Sequence, residues 1–533
     1  MDEYRIRVRI FSVIIVVLLS IIGMRLGHLQ LVESEQYRGE SRSNAVREIR
    51  VQPARGAIYD RNGVRMVDNA QMFTITLTPY YFDESNVELL AELLEVSDST
   101  VQAKLKQARD FSPFQPSRSF REVPFAIYSR VMEKSYLLPG VGFEVEQKRR
   151  FVTDAQAAHA VGYIREINRS MLERRRRAGY QQGDLVGQTG LEKRYEDYLR
   201  GKMGSEFKFV DTRGRIIDAY DEGKGDIAPV SGYDMYTTID HRVQALAESL
   251  FVGKRGGVVA LDPKTGGIIA LVSAPDYDPQ IFTESIDPKT WAYLNSSRAK
   301  PLYNRATQGA AVPGSTWKPF MALMALDAGH IKPGERYNCP GGHPFGNGVR
   351  FRCMGVHGSL DVEGAIQNSC NTFFFEMMRR SNPDEFARYA HMFGFGENAP
   401  IEIDEQIPGL IPDSSYYNRM YPAGWTLGYW INLGIGQGDM YVTPMQLARY
   451  VMAVANKGTL YAPYLVERLV NPETHEVIYP AKPAPRHIPI REEHFDIVRN
   501  GMRRVMEAGT GRLMQLEGIP SGGKTGTAQH MGH

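Results

Sequence analysis

The sequence predicts an α+β protein in which a membrane-anchored, elongated pedestal domain precedes a C-terminal domain with an antiparallel sheet covered by helices. Three observations support this prediction. An apolar run follows the N-terminal arginines, short strand-like and helical runs alternate in the first half, and an apolar hairpin pattern opens the second half. The 533 residues are 43% hydrophobic and 23% charged, which is typical of a globular chain of several domains.

The charge balance argues against a nucleic-acid-binding protein. The chain has 63 Lys and Arg against 61 Asp and Glu, a formal net charge of +2. Phosphate recognition usually requires a basic domain or stripe. The basic run at residues 174–177 is therefore interpreted as a solvated helix face.

The N-terminal segment is predicted to anchor the chain in a membrane. Arg5, Arg7 and Arg9 precede a largely apolar run. We assign residues 1–9 to a short cytoplasmic tail and residues 10–31 to a transmembrane helix, because the arginines favour the cytoplasmic side. A cleaved signal peptide is the alternative, but no small-x-small cleavage pattern follows the run. The rest of the chain would then lie outside the inner membrane.

The pedestal domain is predicted to comprise residues 32–232. A strand-like run at 72–78 is followed by a helical run at 87–96. We find no cluster of Ser, His, Cys or paired carboxylates there that indicates a catalytic site. A Gly-rich, charged stretch at 221–232 is typical of a boundary, so the second domain is placed at 233–533.

The second domain is predicted to begin with a strand, a helix and a hairpin. The strand covers residues 235–239 and the helix residues 243–250. Two apolar runs, at 257–261 and 268–272, are joined by a Pro-Lys-Thr-Gly turn, which predicts the hairpin. Both runs are apolar on both faces, so we expect a sheet covered by helices.

Ser315 and Lys318 form the first candidate catalytic motif. Pro319 and the apolar residues that follow it predict a helix that begins close to Ser315. The two side chains would then share one helix face. Lys318 could remove the proton of Ser315 if burial or a nearby cation lowered the lysine pKa. Ser-x-x-Lys alone is a weak signal.

Two later motifs strengthen this signal. Ser369 and Asn371 flank Cys370 immediately before an apolar helical run. The third motif lies in a Gly-flanked segment that predicts a strand, and it comprises Lys524, Thr525, Gly526 and Thr527. The ordered set Ser-x-x-Lys, Ser-x-Asn and Lys-Thr-Gly is the signature of penicillin-recognising serine acyltransferases. The sequence resembles the class B penicillin-binding proteins, the monofunctional peptidoglycan D,D-transpeptidases, over nearly its whole length.

Further segments extend the resemblance. Residues 55–63 and 187–193 are similar to pedestal motifs of the family, and residues 433–438 favour the cell-elongation type over the septal type. The resemblance implies a single-pass protein of the bacterial inner membrane with a periplasmic transpeptidase domain. It also implies partners, namely a membrane glycosyltransferase of the elongation system and morphogenetic proteins. No organic cofactor is implied.

The resemblance implies a role for each catalytic residue. Ser315 would attack the penultimate D-Ala carbonyl of a stem peptide ending in D-Ala-D-Ala, or a β-lactam, and Lys318 would take its proton. Ser369 and Asn371 would relay protons and hold Lys318. Lys524 would supply positive charge that favours neutral Lys318 and attracts the substrate carboxylate.

The resemblance also implies how the substrate is held. Thr525 and Thr527 would bind its carboxylate through their hydroxyls, with Gly526 between them in the same substrate-binding segment. The backbone amides of Ser315 and Thr527 would form the oxyanion hole, because developing negative charge needs donors that are fixed in advance.

The three cysteines of the chain lie in one short stretch and predict a structural zinc site. Cys339, Cys353, His357 and Cys370 supply three thiols and one imidazole. The alternatives are a disulfide plus one free thiol, or three buried thiols, and His343 competes with His357 as the fourth ligand. A bound metal would tether the flanking loop to the second motif, because Cys370 lies inside that motif.

The end of the chain motivates a second functional hypothesis. Family members continue well past the Lys-Thr-Gly segment, whereas this sequence ends at His533. We therefore expect a transpeptidase domain that is incomplete at its C-terminus. The alternative to an active enzyme is a catalytically silent scaffold that binds a polymerase partner.

Overall fold

The computed structural model of the chain describes residues 2–28, 46–210, 216–283, 286–346 and 348–527. These residues group into two compact units. The first unit comprises the described residues of Met1–Ala54, Gln71–Gln147 and Gly201–Gly232. The second unit comprises those of Arg55–Ala70, Lys148–Arg200 and Tyr233–His533. The predicted boundary between residues 232 and 233 stays a prediction.

The strands are short, apart from β3 and β5. They are, in chain order, β1 (Val46–Val51), β2 (Ile58–Tyr59), β3 (Arg65–Leu77), β4 (Ser117–Phe120), β5 (Val141–Phe151), β6 (Ile164–Glu166), β7 (Leu185–Gly187), β8 (Gly204–Val210), β9 (Ile216–Ala219), β10 (Asp234–Thr237), β11 (Gly256–Leu261), β12 (Ile268–Ala274), β13 (Tyr337–Cys339), β14 (Gly342–Gly346), β15 (Val349–Arg352), β16 (Gly358–Leu360), β17 (Thr459–Leu460), β18 (Val466–Val470), β19 (Val477–Ile478) and β20 (Arg486–His487).

The described helices are distributed along both halves of the chain. They are α1 (Asp2–Gly27), α2 (Val87–Leu94), α3 (Asp98–Phe111), α4 (Phe125–Glu133), α5 (Ala158–Val161), α6 (Arg169–Arg175), α7 (Gly190–Arg194), α8 (Glu196–Leu199), α9 (His241–Phe251), α10 (Pro288–Ser296), α11 (Lys318–Asp327), α12 (Val362–Gln367), α13 (Asn371–Arg379), α14 (Pro383–Met392), α15 (Ser414–Met420), α16 (Leu427–Trp430), α17 (Pro444–Ala455) and α18 (Glu492–Ala508).

The N-terminal segment forms one helix, α1, over most of the predicted anchor. The anchor was assigned to residues 10–31, of which 29–31 lie outside the described residues. Among the described residues, none of the helices combines the length and the apolar character that bilayer crossing requires.

The first unit contains a small core between strands and helices. The strand predicted at 72–78 is confirmed within β3, which pairs antiparallel with β4. The helix predicted at 87–96 is confirmed as α2, which ends where Glu95 adopts a left-handed backbone. The core includes Ile75, Leu90 and Val131. A separate antiparallel sheet in this unit joins β1, β8 and β9.

A sheet in the second unit combines segments that are distant in sequence. The predicted strand at 235–239 is confirmed as β10, which pairs parallel with β2 and antiparallel with β18. Met235 is the partner of Ile58 on one side and of Leu469 on the other. All three side chains are fully or almost fully buried in one core, so residues near position 58 complete the sheet of the second unit.

The predicted hairpin is confirmed. β11 and β12 pair antiparallel, with Val258 opposite Val272. The helix predicted at 243–250 is confirmed as α9, and the Asp240 carboxylate caps it by accepting from the Arg242 N–H. α9 packs on β12 and α17 packs on β11, which covers the hairpin with helices as the apolar pattern predicted.

The largest core of the second unit surrounds α11. Every residue from Lys318 to Leu326 is buried, so this part of the helix has no solvent-exposed face. Helices α13 and α18 pack against α11, and the shared core includes Trp317, Phe320 and Phe374. A helix buried on all sides gives its first residues a firmly defined position.

The strand predicted around Lys524 is not formed. Residues 521–527 have no assigned secondary structure, and the Gly523 N–H donates to the Met502 carbonyl of α18 at 3.0 Å. A β-strand requires a ladder of backbone hydrogen bonds to a neighbouring strand. No described strand pairs with this segment. The extended sequence pattern is therefore not sufficient to make a strand here.

Candidate active site

Ser315 lies at the entrance to α11. It belongs to a single 3₁₀ turn, Gly314–Trp317, that leads directly into the helix at Lys318. Pro319 occupies the first turn of α11, where a missing N–H removes no helix hydrogen bond. The predicted helix start is therefore confirmed, and the Ser315 side chain is half-buried.

The side chain of Lys318 joins the first and second motifs. It is fully buried, and its Nζ donates to the Ser369 carbonyl at 2.7 Å and to Ser369 Oγ at 3.0 Å. The third bond is to Asn371 Oδ1 at 2.7 Å. Ser369 has a left-handed backbone with φ 52°, immediately before α13 begins. That turn directs both the carbonyl and the hydroxyl of Ser369 to the same lysine.

Burial changes the acid–base properties of both motif lysines. Burial and, after it, the positive charge of Lys524 together lower the pKa of Lys318 to about 7. Burial also lowers the pKa of Lys524 to about 8. A large share of Lys318 is therefore unprotonated near neutral pH, which is the state that can accept a proton.

The third motif lies beside the Ser315 turn. A Cβ atom added to Gly526 would be 2.8 Å from Thr316 Cγ2, so the Gly526 backbone packs directly on that turn. Lys524 Nζ donates to the Thr525 carbonyl at 3.0 Å. The Thr525 and Thr510 hydroxyls are 2.7 Å apart. Thr510 belongs to no motif, and nothing in the sequence indicated it.

Residues 436 and 437 support the other side of the same turn. The Gly314 N–H donates to the Gly436 carbonyl at 2.8 Å. Gly436 has φ +70°, and a Cβ there would lie 2.2 Å from the Gly314 carbonyl oxygen, so only glycine fits. Gln437 Nε2 donates to the Thr527 carbonyl at 3.4 Å. These contacts give the motif at 433–438 a structural role that its sequence did not specify.

The four predicted metal ligands form one cluster. Cys339 Sγ and Cys353 Sγ each lie 3.5 Å from His357 Nδ1, and Cys353 Sγ is 3.9 Å from Cys370 Sγ. All four ligand atoms lie within 4.8 Å of one another. Tetrahedral zinc, with Zn–S bonds of about 2.3 Å and Zn–N bonds of about 2.0–2.1 Å, separates sulfurs by about 3.8 Å and sulfur from nitrogen by about 3.5 Å. The donor set and its spacing therefore fit this ion.

Two alternatives for the cysteine stretch can be compared with this geometry. All three cysteines are free thiols, so the disulfide alternative is not formed. His343 Nε2 lies 3.0 Å from Glu376 Oε2 and is not part of the cluster. The fourth position is therefore occupied by His357.

The cluster contacts the second motif directly. The Asn371 N–H donates to Cys353 Sγ at 3.2 Å, and Asn371 Nδ2 donates to the Arg352 carbonyl at 3.3 Å. The contact with the Cys370 thiol, together with backbone N–H donors such as that of Asn371, lowers the pKa of the Cys353 thiol. A thiolate is the form of cysteine that binds metal ions.

Comparison with known proteins identifies the family. Residues 256–533 match the penicillin binding protein transpeptidase domain, and residues 50–237 match the penicillin-binding protein dimerisation domain. The peptidoglycan D,D-transpeptidase MrdA of Acinetobacter baumannii is 32% identical over 99% of this chain and 78% of its own length. The chain belongs to the penicillin-binding protein transpeptidases. This penicillin-binding protein is of the class B elongation type, and its activity is peptidoglycan D,D-transpeptidation, an acyl transfer that needs no organic cofactor.

Solved structures share the fold of this penicillin-binding protein. One chain of a peptidoglycan synthase complex that coordinates polymerization and crosslinking has a TM-score of 0.72 at 27% identity, over 99% of this chain and 89% of its own. PBP2 of Helicobacter pylori, solved in complex with MreC, has a TM-score of 0.76 over 91% of this chain and 90% of its own. Its identity of 23% supports the likeness in fold alone.

Proposed function

We propose that Ser315 is the acylated nucleophile of this D,D-transpeptidase and that Lys318 is its general base. The buried Lys318 carries this proposal. Its three hydrogen bonds to Ser369 and Asn371 hold it in place, and its pKa of about 7 makes it a competent base at neutral pH.

The reaction proceeds in two acyl transfers. Ser315 Oγ attacks the penultimate D-Ala carbonyl of the donor stem peptide, and its proton passes to Lys318 Nζ. The tetrahedral intermediate collapses to a Ser315 ester, and the terminal D-Ala leaves as an amine that takes up that proton. An amine of a neighbouring stem peptide then attacks the ester carbonyl and gives up a proton. The new amide is the cross-link, and the Ser315 hydroxyl is restored.

The third motif holds the substrate while charge develops on its carbonyl oxygen. We assign the oxyanion hole to the backbone N–H groups of Ser315 and Thr527, and the carboxylate contacts to Thr525 and Thr527. Lys524 adds a positive charge beside that carboxylate. One fixed oxyanion donor typically contributes about 3–4 kcal/mol to transition-state stabilisation. Small displacements of this segment would therefore weaken that stabilisation and slow acylation.

Labelling with a fluorescent penicillin tests the nucleophile. We expect the wild-type chain to form a covalent adduct and Ser315→Ala to form none. Ser296→Ala is the matched control, because Ser296 is exposed at the end of α10. Retained labelling of Ser315→Ala would contradict the assignment. A wild-type chain that neither labels nor cleaves a D-Ala-D-Ala peptide would instead favour the silent-scaffold alternative.

We further propose that residues 10–31 anchor the protein in the bacterial inner membrane, with residues 1–9 in the cytoplasm and the catalytic domain in the periplasm. The arginine-flanked apolar run supports this location. Cell fractionation tests it: the full chain should sediment with membranes, and deletion of residues 10–31 should release it. Equal sedimentation of both would contradict the proposal.

A structural zinc ion is the proposed occupant of the cysteine cluster. Cys339, Cys353, His357 and Cys370 would bind it and fill all four positions, so it would have no open site for hydrolysis. When bound, the ion would hold the loop before α12 against the second motif. Metal analysis of protein purified without chelators should give one zinc per chain, and a metal-free preparation would contradict the proposal.

The proposed partners are a membrane glycosyltransferase of the elongation system and morphogenetic proteins that bind the pedestal. The likeness to a chain of a peptidoglycan synthase complex supports the first of these. Co-purification of the full chain with a membrane polymerase from the same cell would test it, with the variant lacking residues 10–31 as the control.

A further inference from the structure

A cluster of aromatic side chains comes from α15, from α16 and from the segment that joins them. We call Tyr416, Tyr417, Tyr421, Trp425 and Tyr429 the aromatic platform. The Tyr417 ring lies 6.2 Å from Tyr421 and 5.5 Å from Trp425, and the rings of Tyr421 and Tyr429 are 4.4 Å apart. Tyr417 is fully buried at the base, whereas Tyr429 is 43% exposed. The platform therefore has a firm interior and an aromatic surface open to solvent.

The platform borders the catalytic site. Tyr421 Oη donates to Asp439 Oδ2 at 3.3 Å. Asp439 follows Gly436 by three positions, a stretch that spans at most about 11 Å. Gly436 packs on the turn that contains Ser315, and Gln437 contacts Thr527. A molecule bound on the platform would therefore lie beside a peptide bound at the third motif.

Polar groups accompany the rings. Tyr417 Oη is buried and has no hydrogen-bond partner among the residues that the structure describes. The charge of Asp439 raises the pKa of Tyr421, and burial followed by that same charge raises the pKa of Tyr417. Both hydroxyls therefore remain protonated donors. One exposed ring, the half-buried rings around it and the neighbouring hydroxyl and carboxylate groups suit a ligand that is apolar on its ring faces and polar around its edge.

We propose that the aromatic platform binds the glycan strand that carries the stem peptide. The inference rests on the proposed function, because it assigns the sugar part of the same substrate to a neighbouring surface. The C–H groups on the faces of an N-acetylhexosamine ring pack against the negative faces of aromatic rings, while its hydroxyl and acetamido groups hydrogen-bond at the edge. Tyr429 supplies the exposed stacking face, and Asp439, which is bonded to Tyr421, supplies an acceptor. A glycan held there would present its peptide to Ser315.

Binding of peptide-free glycan to the full chain tests this proposal. The probe is a labelled β-1,4-linked strand of N-acetylglucosamine and N-acetylmuramic acid from which an amidase has removed all peptides. We expect the wild-type chain to bind it and Tyr429→Ala to bind about three- to tenfold more weakly, the effect of one lost aromatic contact. Tyr429→Phe should retain binding because the ring remains. Tyr293→Ala, which removes a 50%-exposed tyrosine on α10, is the matched control and should bind like the wild type.

The outcomes separate this inference from the proposed acylation. No glycan binding by the wild-type chain, or equal binding by Tyr429→Ala, would overturn the inference. Equal weakening by Tyr293→Ala would also overturn it, since the effect would then not be specific to the platform. A wild-type chain that binds the glycan but is not labelled by penicillin would overturn the proposed function. The platform assignment would then still stand.

Discussion

Burial of a single lysine sets the pH range of the proposed reaction. Lys318 has no exposed surface, and its pKa is lowered to about 7, first by burial and then by the charge of Lys524. Below this pH the lysine is protonated and cannot act as a base. Above it the unprotonated fraction approaches one. The acylation rate should therefore rise with pH through about 7.

Replacement of Lys524 should shift this pH profile. Lys524→Ala removes a cation that lowers the Lys318 pKa, so the rising limb should move to higher pH. The measurement is the second-order rate of penicillin acylation from pH 5 to 9, fitted for its midpoint rather than its maximum. Lys332→Ala, at an exposed position, is the control and should keep the wild-type midpoint. An unchanged midpoint in Lys524→Ala would show that its charge does not act on Lys318.

Two nearby glycines provide a second test at the residue scale. Gly436 and Gly438 both have a positive φ, which costs an alanine about 1–2 kcal/mol. Only at Gly436 would the new Cβ clash, at 2.2 Å from the Gly314 oxygen, whereas at Gly438 the nearest atom is 3.7 Å away. Besides the backbone penalty that both variants share, the clash in Gly436→Ala should lower the free energy of unfolding by about 1–3 kcal/mol. It should lower the melting temperature and the acylation rate more than Gly438→Ala does, and equal effects would contradict the packing argument.

At the scale of elements, the cysteine cluster joins β13, β15 and the start of α13. Cys339 ends β13, Cys353 follows β15, and Cys370 immediately precedes α13. The Asn371 N–H bonded to Cys353 Sγ makes this junction part of the second motif. A metal that fixes the junction would therefore stabilise the position of Asn371, and with it that of Lys318.

Two histidine variants test the ligand set. His357→Ala should lose the bound zinc, lower the melting temperature and slow acylation, because one of the four ligands is removed. His343→Asn should keep one zinc per chain, since His343 contacts Glu376 and lies outside the cluster. Zinc stoichiometry is the deciding measurement, because both variants can lower stability. Loss of zinc from His343→Asn with retention in His357→Ala would reverse the assignment.

At the scale of the whole molecule, two family motifs that are far apart in sequence share one buried ion cluster. Arg55 of the first motif donates to Glu192 of the second through Nε at 2.8 Å and to Glu196 through a terminal nitrogen at 2.6 Å. Arg149 also donates to Glu192 at 2.8 Å. All four residues belong to the second unit, although they lie in the range predicted for the pedestal. The cluster ties these early segments into that unit.

Removal of one partner from this cluster should be strongly destabilising. Arg55→Ala leaves the Glu192 and Glu196 carboxylates buried with less positive charge beside them. The free energy of unfolding should fall by about 3–5 kcal/mol. Arg65→Ala is the control, because its pair with Asp68 is half-exposed and worth less than about 1 kcal/mol. The melting temperature and the fraction of penicillin-labelled protein should fall for Arg55→Ala alone. Similar melting temperatures for the two variants would contradict the structural role of the cluster.

Much of the site could be predicted because its signals are local. The start of α11 follows from Pro319 and the apolar run behind it, and the hairpin β11–β12 follows from two apolar runs around a short turn. The prediction of a strand at Lys524 was wrong because strand formation is not a local property. A strand depends on a hydrogen-bonded neighbour, and the pattern of one segment does not reveal whether that neighbour is present.

The sequence by itself determined the family, the three motifs, the grouping of the three cysteines and the order of the first elements, because each can be recognised from short sequence patterns. Only the tertiary structure decided which histidine joins the cysteines, how Arg55 meets Glu192 and Glu196, and where the aromatic platform lies. The low pKa of Lys318 also depends on burial by α13 and on a charge more than two hundred positions away. Such properties arise from desolvation and packing between distant segments, which no local pattern encodes.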